Sequence, residues 1–334
     1  MAKRSTTPKT KNLPATRGKR GELVNPAEID AAALDFAKAA RSEATQRAYR
    51  SDWAHFSEWC SASGLDSLPA SPETVARYLT AFAEALSTST LQRRLSSIAV
   101  AHQLAGHRSP TAEPGCREVW KGIRREKGVA MNGATPITRE ELRALLATTG
   151  DGALGVRDRA LLLTGFHGAF RRSELAALDL EDVEQTEEGL RIILRRSKTD
   201  QEGEGTVKGL LFQSDLKVCP VRALLAWLDL AEIESGPVFR SVTKGGNVKP
   251  NRIDGRTVAR VIQKAAKAAG LKDPEKFSGH SLRAGLATQA AADGAPERAI
   301  MAQGGWKSTA TVRRYIRHGS AFRENVGKFL KLCL

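Results

Sequence analysis

Tyr315 sits in Thr311-Val-Arg-Arg-Tyr-Ile-Arg317, a phenol surrounded by arginines. A phenol ionises near pH 10, so it attacks well only where cations stabilise the phenolate and hold an anionic substrate beside it. Upstream, Ser278-Gly-His280-Ser-Leu-Arg283 sets an imidazole and a guanidinium three residues apart, on one side of a helix's first turn. The imidazole can accept or donate a proton near neutrality, and the guanidinium offers a planar fork that grips two phosphate oxygens. Gln303-Gly-Gly-Trp306 lies between these segments. Further upstream, Gly168-Ala-Phe-Arg171-Arg172-Ser-Glu174-Leu175 reads as the inside of a helix, with Arg171 and Glu174 sharing a face. Each segment alone has an ordinary structural reading: an arginine held by a glutamate, a capping histidine, a tyrosine packing its ring.

These residues need elements to position them. From about 28 to 127 the pattern is helical. Tyr49, Trp53, Phe56 and Cys60 form one stripe. Ser71-Pro72-Glu73 opens a second helix with the stripe Val75, Leu79, Phe82, Leu86. Leu91, Leu95 and Ile98 mark a third helix, and 117–127 forms a fourth that stops at Gly128. Residues 128–136 read as a linker, and Thr138-Arg-Glu-Glu141 is a capping box opening the second domain. That domain, 137–334, is mostly helical, with two short strands, Leu190–Leu194 and Thr206–Phe212, around a Gly- and acid-rich turn. Later helices fall at about 220–231, 255–269, 281–292, 296–303, 309–317 and 320–331. The fold expected is mainly α (α+β), with a basic disordered tail at 1–27.

Composition narrows the function. Lys and Arg number 52 against 37 Asp and Glu, a net charge of +15 that favours a polyanionic partner. The tail contributes Lys3, Arg4, Lys9, Lys11, Arg17, Lys19 and Arg20, about half of the excess. A second basic cluster at 91–128 includes Arg93, Arg94, Lys121, Arg124 and Arg125, expected to contact DNA phosphates. Cys60, Cys116, Cys219 and Cys333 are too scattered for a zinc pattern or a disulfide framework. No Walker segment, GxGxxG fingerprint or HExxH pair occurs, so no cofactor and no metal are expected. The chain has no apolar run that would span a membrane and no secretory h-region, so a cytoplasmic, nucleoid-associated protein is expected.

Taken together and in order, RRSEL, SKT in a hairpin, HSLR, GGW and RRYIR resemble the tyrosine recombinase (phage integrase) family. The likeness covers roughly 137–334, and 28–127 resembles more loosely the family's SAM-like core-binding domain. It implies that Tyr315 is the nucleophile, Arg171 and Arg283 the catalytic arginines, Glu174 an acidic companion, His280 the base and Lys198 the acid for the 5′ leaving oxygen. Arg172 competes with Arg171, though the Arg-x-x-Glu-Leu spacing selects Arg171. Arg195, Arg196 and Lys208 compete with Lys198, because strand register is hard to read from sequence. Trp306 stands where most members have a second histidine, a variation known within the family, and offers an indole N–H rather than a proton shuttle.

The reaction the family implies is cleavage and rejoining of double-stranded DNA at specific sites, through a 3′-phosphotyrosyl bond and a Holliday junction. The partners implied are duplex DNA and, on synapsed DNA, a homotetramer built from free monomers. Both domains would clamp the duplex. Phe322, Val326, Phe329 and Leu330 give the 320–331 helix an apolar stripe that packs on its own domain or on a neighbouring subunit. The rival readings are a type IB topoisomerase-like relaxing enzyme and a catalytically silent DNA-binding protein.

Overall fold

A computed structural model of the chain describes residues 41–128, 134–195 and 205–320, with side chains as far as Ile316 in the last helix. The chain divides into two compact units, Met1–Asn132 and Gly133–Leu334.

The described part of the first unit has four helices: α1 Glu43–Ala62, α2 Pro72–Ala81, α3 Thr88–Leu104 and α4 Pro114–Lys127. The first three begin on a serine whose hydroxyl accepts a backbone N–H three residues on: Ser42 from Thr45, Ser71 from Thr74 and Ser87 from Thr90. α4 ends at Gly128, whose φ of +73° suits glycine. The stripes read from the sequence face inward, and Phe56, Cys60, Val75, Leu79, Leu91 and Ile98 are buried together.

One position departs from expectation. Arg94 does not face outward for DNA; it is 9% exposed and committed to the core. Its Nη1 donates to the Tyr78 hydroxyl at 2.7 Å, and its guanidinium lies over the Tyr78 and Phe82 rings. Burial pushes the Tyr78 phenol up to about 12, against the pull of Arg94, so it stays protonated. The neighbouring Arg93 is half-exposed and grips Asp52 through two bonds of 2.7 and 3.0 Å. Arg94→Leu strips these buried groups of a donor and is expected to destabilise the protein by about 1–3 kcal/mol in denaturant unfolding. Arg125→Ala, on the exposed face of α4, should stay within about 0.5 kcal/mol of the native value. Equal effects would return Arg94 to the surface set.

The second unit opens on α5, Arg139–Ala147. Its capping box is complete: Thr138 Oγ1 accepts from the Glu141 N–H at 3.1 Å, and Glu141 Oε2 accepts from the Thr138 N–H at 2.7 Å. α6, Ala153–His167, is buried continuously from Ala160 to Phe166, as befits a central helix. A short α7, Arg172–Ala177, leads into an antiparallel sheet of β1 Val183–Gln185, β2 Gly189–Leu194 and β3 Thr206–Leu211, in that order. Then follow α8 Pro220–Leu230, the antiparallel pair β4 Arg240–Val242 and β5 Val248–Arg252, and α9 Gly255–Ala268. α10 Gly279–Asp293, α11 Glu297–Gly304 and α12 Thr309–Ser320 complete the described chain. The main core gathers α5, α6, α8 and α9 around Leu161, Phe166, Trp227 and Ile262. A smaller cluster of Ala287, Ala291, Ile300 and Val312 joins α10, α11 and α12.

The two expected strands pair antiparallel, with Lys208 opposite Ile192 and Leu210 opposite Leu190. β1 and the β4–β5 pair were not expected. The expected helix at 320–331 lies outside the described residues beyond Ser320. No helix among the described residues is long and apolar enough to cross a membrane.

Candidate active site

The segment around Arg171 is not the inside of a helix. α6 ends at His167, the chain turns through Gly168-Ala169-Phe170, and Arg171 is the N-cap of α7. The turn forces Ala169 to a φ of +47°, a conformation uncommon for a residue with a Cβ. Arg171 and Glu174 therefore meet as N-cap and third helical residue rather than as neighbours on a helix face. Glu174 uses both oxygens: Oε2 accepts the Arg171 backbone N–H at 2.9 Å, and Oε1 accepts Arg171 Nη1 at 2.5 Å. With its side chain 4% exposed, the carboxylate fixes the backbone and the guanidinium of Arg171 together. Arg172 goes elsewhere. Its stem packs so close to Gly279 that a methyl group there would lie 2.8 Å from its Cβ.

The same turn holds the second arginine. Arg283, one turn into α10 and 3% exposed, donates from Nη1 to the Ala169 carbonyl at 2.6 Å. Its guanidinium carbon lies 4.0 Å from the centre of the Trp306 ring, a stacked cation–π contact. Burial first, and the like charge of Arg171 second, pull Arg283 down to about 10, while Glu174 and Tyr315 push the other way. It therefore remains a cation at neutral pH, held in a place that lacks a full complement of negative charge.

Trp306 owes its place to two glycines. Gly305, at φ +65°, ends α11 in a left-handed turn. Gly304 leaves the space the indole fills: a Cβ there would fall 1.8 Å from the ring. Tyr315 packs against the indole from α12, the two ring centres 5.9 Å apart and tilted by 45°. Tyr315 is half-buried, and its backbone carbonyl accepts from Thr288 Oγ1 of α10 at 3.5 Å.

Arg171, Glu174, Arg283, Trp306 and Tyr315 are thus drawn together from four parts of the chain. His280 lies at the exposed start of α10, its backbone N–H donating to the Ser278 hydroxyl at 3.3 Å. Lys198 and Arg196 lie outside the described residues. Among their rivals, Arg195 is exposed and pairs with Asp182 at 2.7 Å. Lys208 is 1% exposed, and its Nζ donates to the carbonyls of Gly168 and Gln303 at 2.8 and 2.5 Å. A lysine so committed cannot protonate a DNA leaving group without leaving those bonds. The sequence missed the Ala169 carbonyl as the anchor of Arg283, and the side chain of Gln303. The only signal for Gln303 was its place just before Gly-Gly-Trp.

In the first unit, Lys121, Arg124 and Arg125 lie exposed on α4. Arg124 stands 6.0 Å from the Trp120 ring, and Lys121 lies 3.6 Å from Glu118. Such surface contacts are weak and yield readily to a phosphate.

Comparison with known proteins places this geometry. The phage integrase family model matches residues 136–321, and the SAM-like N-terminal domain of phage integrases matches residues 36–109. The chain is 39% identical over 289 residues to an integrase/recombinase xerD homolog of Selenomonas ruminantium, covering 85% of this chain and 84% of that protein. It is 26% identical over 297 residues to the recombinase cre of Escherichia phage P1, covering 83% and 84%. Among solved structures, a lambda integrase dimer bound to a COC' core site superposes with a TM-score of 0.59 at 15% identity, covering 90% of this chain and 78% of that one. At that identity the likeness speaks to fold alone.

Proposed function

The chain belongs to the phage integrase family and is a site-specific tyrosine recombinase that cleaves and rejoins DNA, and we propose that it does so through a 3′-phosphotyrosyl bond at Tyr315 and a Holliday junction, without ATP or metal. The observation that carries this reading is the buried Arg283 guanidinium, stacked on Trp306, with the Tyr315 ring packed against the same indole. A phosphodiester seated there meets a cation and a phenol at once. Charge developing on its non-bridging oxygens would be met by Arg171 and Arg283, with Glu174 holding Arg171 in place and the Trp306 N–H adding a donor. His280 would take the Tyr315 proton and Lys198 would supply the proton to the 5′ oxygen. The bond energy stays in the phosphotyrosine, so rejoining by the 5′ hydroxyl needs no nucleotide. The relatives named above are recombinases and integrases, which favours strand exchange over supercoil relaxation or silent binding.

The DNA partner would touch Lys121, Arg124 and Arg125 of α4 and the exposed half of Arg93, with both units clamping the duplex. Strand exchange needs two sites, and we assign it to a homotetramer in which the 320–331 stripe of one subunit docks on its neighbour. An open cleft of about 800 Å³ beside Trp306, lined in part by Met301, Ala302 and Arg313, supports such docking.

The test uses nicked suicide duplexes tiled across the DNA flanking the gene, incubated with EDTA and no nucleotide. An SDS-resistant protein–DNA adduct is expected. An adduct that appears only with Mg²⁺ or ATP would defeat the metal- and nucleotide-free mechanism, and no adduct under any condition would leave a binding protein.

A further inference from the structure

One buried ammonium joins three parts of the site. Lys208 donates to the Gly168 carbonyl, three residues before Arg171, and to the Gln303 carbonyl, three residues before Trp306. Gln303 completes the junction with its side chain: Nε2 donates to the His167 carbonyl at 2.7 Å and to the Gly209 carbonyl at 2.9 Å. Four hydrogen bonds therefore tie the end of α6, strand β3 and the end of α11. The same Lys208 ammonium lies 5.1 Å from the centre of the Phe170 ring, within the turn that supplies the Ala169 carbonyl to Arg283.

An apolar side chain would fill this inward position of β3, beside Leu210, without the cost of burying a charge. What an apolar side chain cannot do is satisfy two main-chain carbonyls from elements far apart in sequence. The charges that face Lys208 are Glu174 and Arg171 from the start of α7 and Arg283 from α10. Burial pulls the ammonium down to about 7, Arg283 and Arg171 pull it the same way, and Glu174 opposes them. The Gly168 and Gln303 carbonyls accept from the ammonium where water would otherwise do so.

We propose that Lys208 and Gln303 form an internal brace that sets the spacing between Arg171 and the Trp306–Tyr315 pair, making Lys208 a positioning residue for strand cleavage that does not itself touch DNA. The brace acts on both sides of the reacting phosphate. Loosening it lets the pre-arginine turn and the pre-tryptophan corner drift independently, and errors near 1 Å at a reacting centre can cost about a hundredfold in rate.

This inference rests on the recombinase reading, so native protein on the suicide duplex is the control: its failure would count against that reading, not the brace. The test compares native protein with Lys208→Met, Gln303→Ala and the double variant. It measures the single-turnover cleavage rate at saturating DNA and the DNA concentration giving half-saturation, well below each variant's unfolding temperature. Lys208→Met should lose roughly ten- to a hundredfold in rate while half-saturation stays within about threefold. Gln303→Ala, which keeps the main-chain acceptor and introduces no buried charge defect, should lose about tenfold. The double variant should be little worse than Lys208→Met, because both act through one junction. Cleavage by either single variant within twofold of native at saturating DNA overturns the brace. So does a loss that appears only as weaker half-saturation, which would make the junction a contributor to binding alone.

Discussion

Tyr315→Phe is expected to abolish covalent attachment to DNA while single-site binding survives. Phe keeps what holds the residue in place. The ring still packs against Trp306 in the cluster of Ala287, Ile300 and Val312, and the backbone carbonyl still accepts from Thr288. Only the attacking oxygen is lost. Removal of a covalent nucleophile costs on the order of 10⁴-fold or more, so the adduct should fall below detection on a denaturing gel while a native gel shift is unchanged. An adduct that persists at native levels would assign the nucleophile elsewhere.

Lysine is a poor substitute for either arginine, and Arg171→Lys and Arg283→Lys should each lower single-turnover cleavage by roughly two orders of magnitude or more. Arg283 does two things with one planar group: it bonds the Ala169 carbonyl and lies flat on the Trp306 indole. An ammonium is a point charge and cannot do both in that geometry. Arg171 likewise spends one N–H on Glu174, and under the proposed mechanism its other N–H groups would serve the phosphate, a division that a lysine cannot reproduce. Titration does not confuse the test. Arg283 is pulled down to about 10, so its charge is complete near pH 7.5 and is lost only as the pH rises through that value. Near-native cleavage by Arg171→Lys would shift attention to Arg172.

The helices were legible because their signals are local. Thr138 and Glu141 cap each other within four residues, and Val75 and Leu79 repeat at the spacing of a buried face. The β4–β5 pair was not legible. β5 reads Val-Lys-Pro-Asn-Arg and buries none of its residues fully, so it shows no alternation and contains a proline. Strand β3 misleads in another way. Val207 and Leu211 are 60% and 58% exposed while Lys208 points inward, the reverse of what hydrophobicity suggests. Nothing within the strand reveals that Gly168 and Gln303, distant in sequence, wait to accept from that lysine. Arg94 fails for a similar reason: its partners, Asp52 and Tyr78, come from α1 and α2. In the candidate site, residue types and order were readable. The turn that breaks the helix before Arg171 was not, because Gly-Ala-Phe continues an apolar run that a helix would also accept.

The stacking of Arg283 on Trp306 also gives the molecule an optical property. An indole's emission responds to the field of a charge lying on its face, and here that charge is a guanidinium 4.0 Å away. A phosphate that neutralises Arg283 would change that field, as would a movement of the Tyr315 ring that packs against the indole. The four remaining tryptophans, Trp53, Trp59, Trp120 and Trp227, lie outside this cluster. With those four replaced, Trp306 would be the one indole left, and its emission is expected to report the arrival of a phosphate beside Arg283 without an added label.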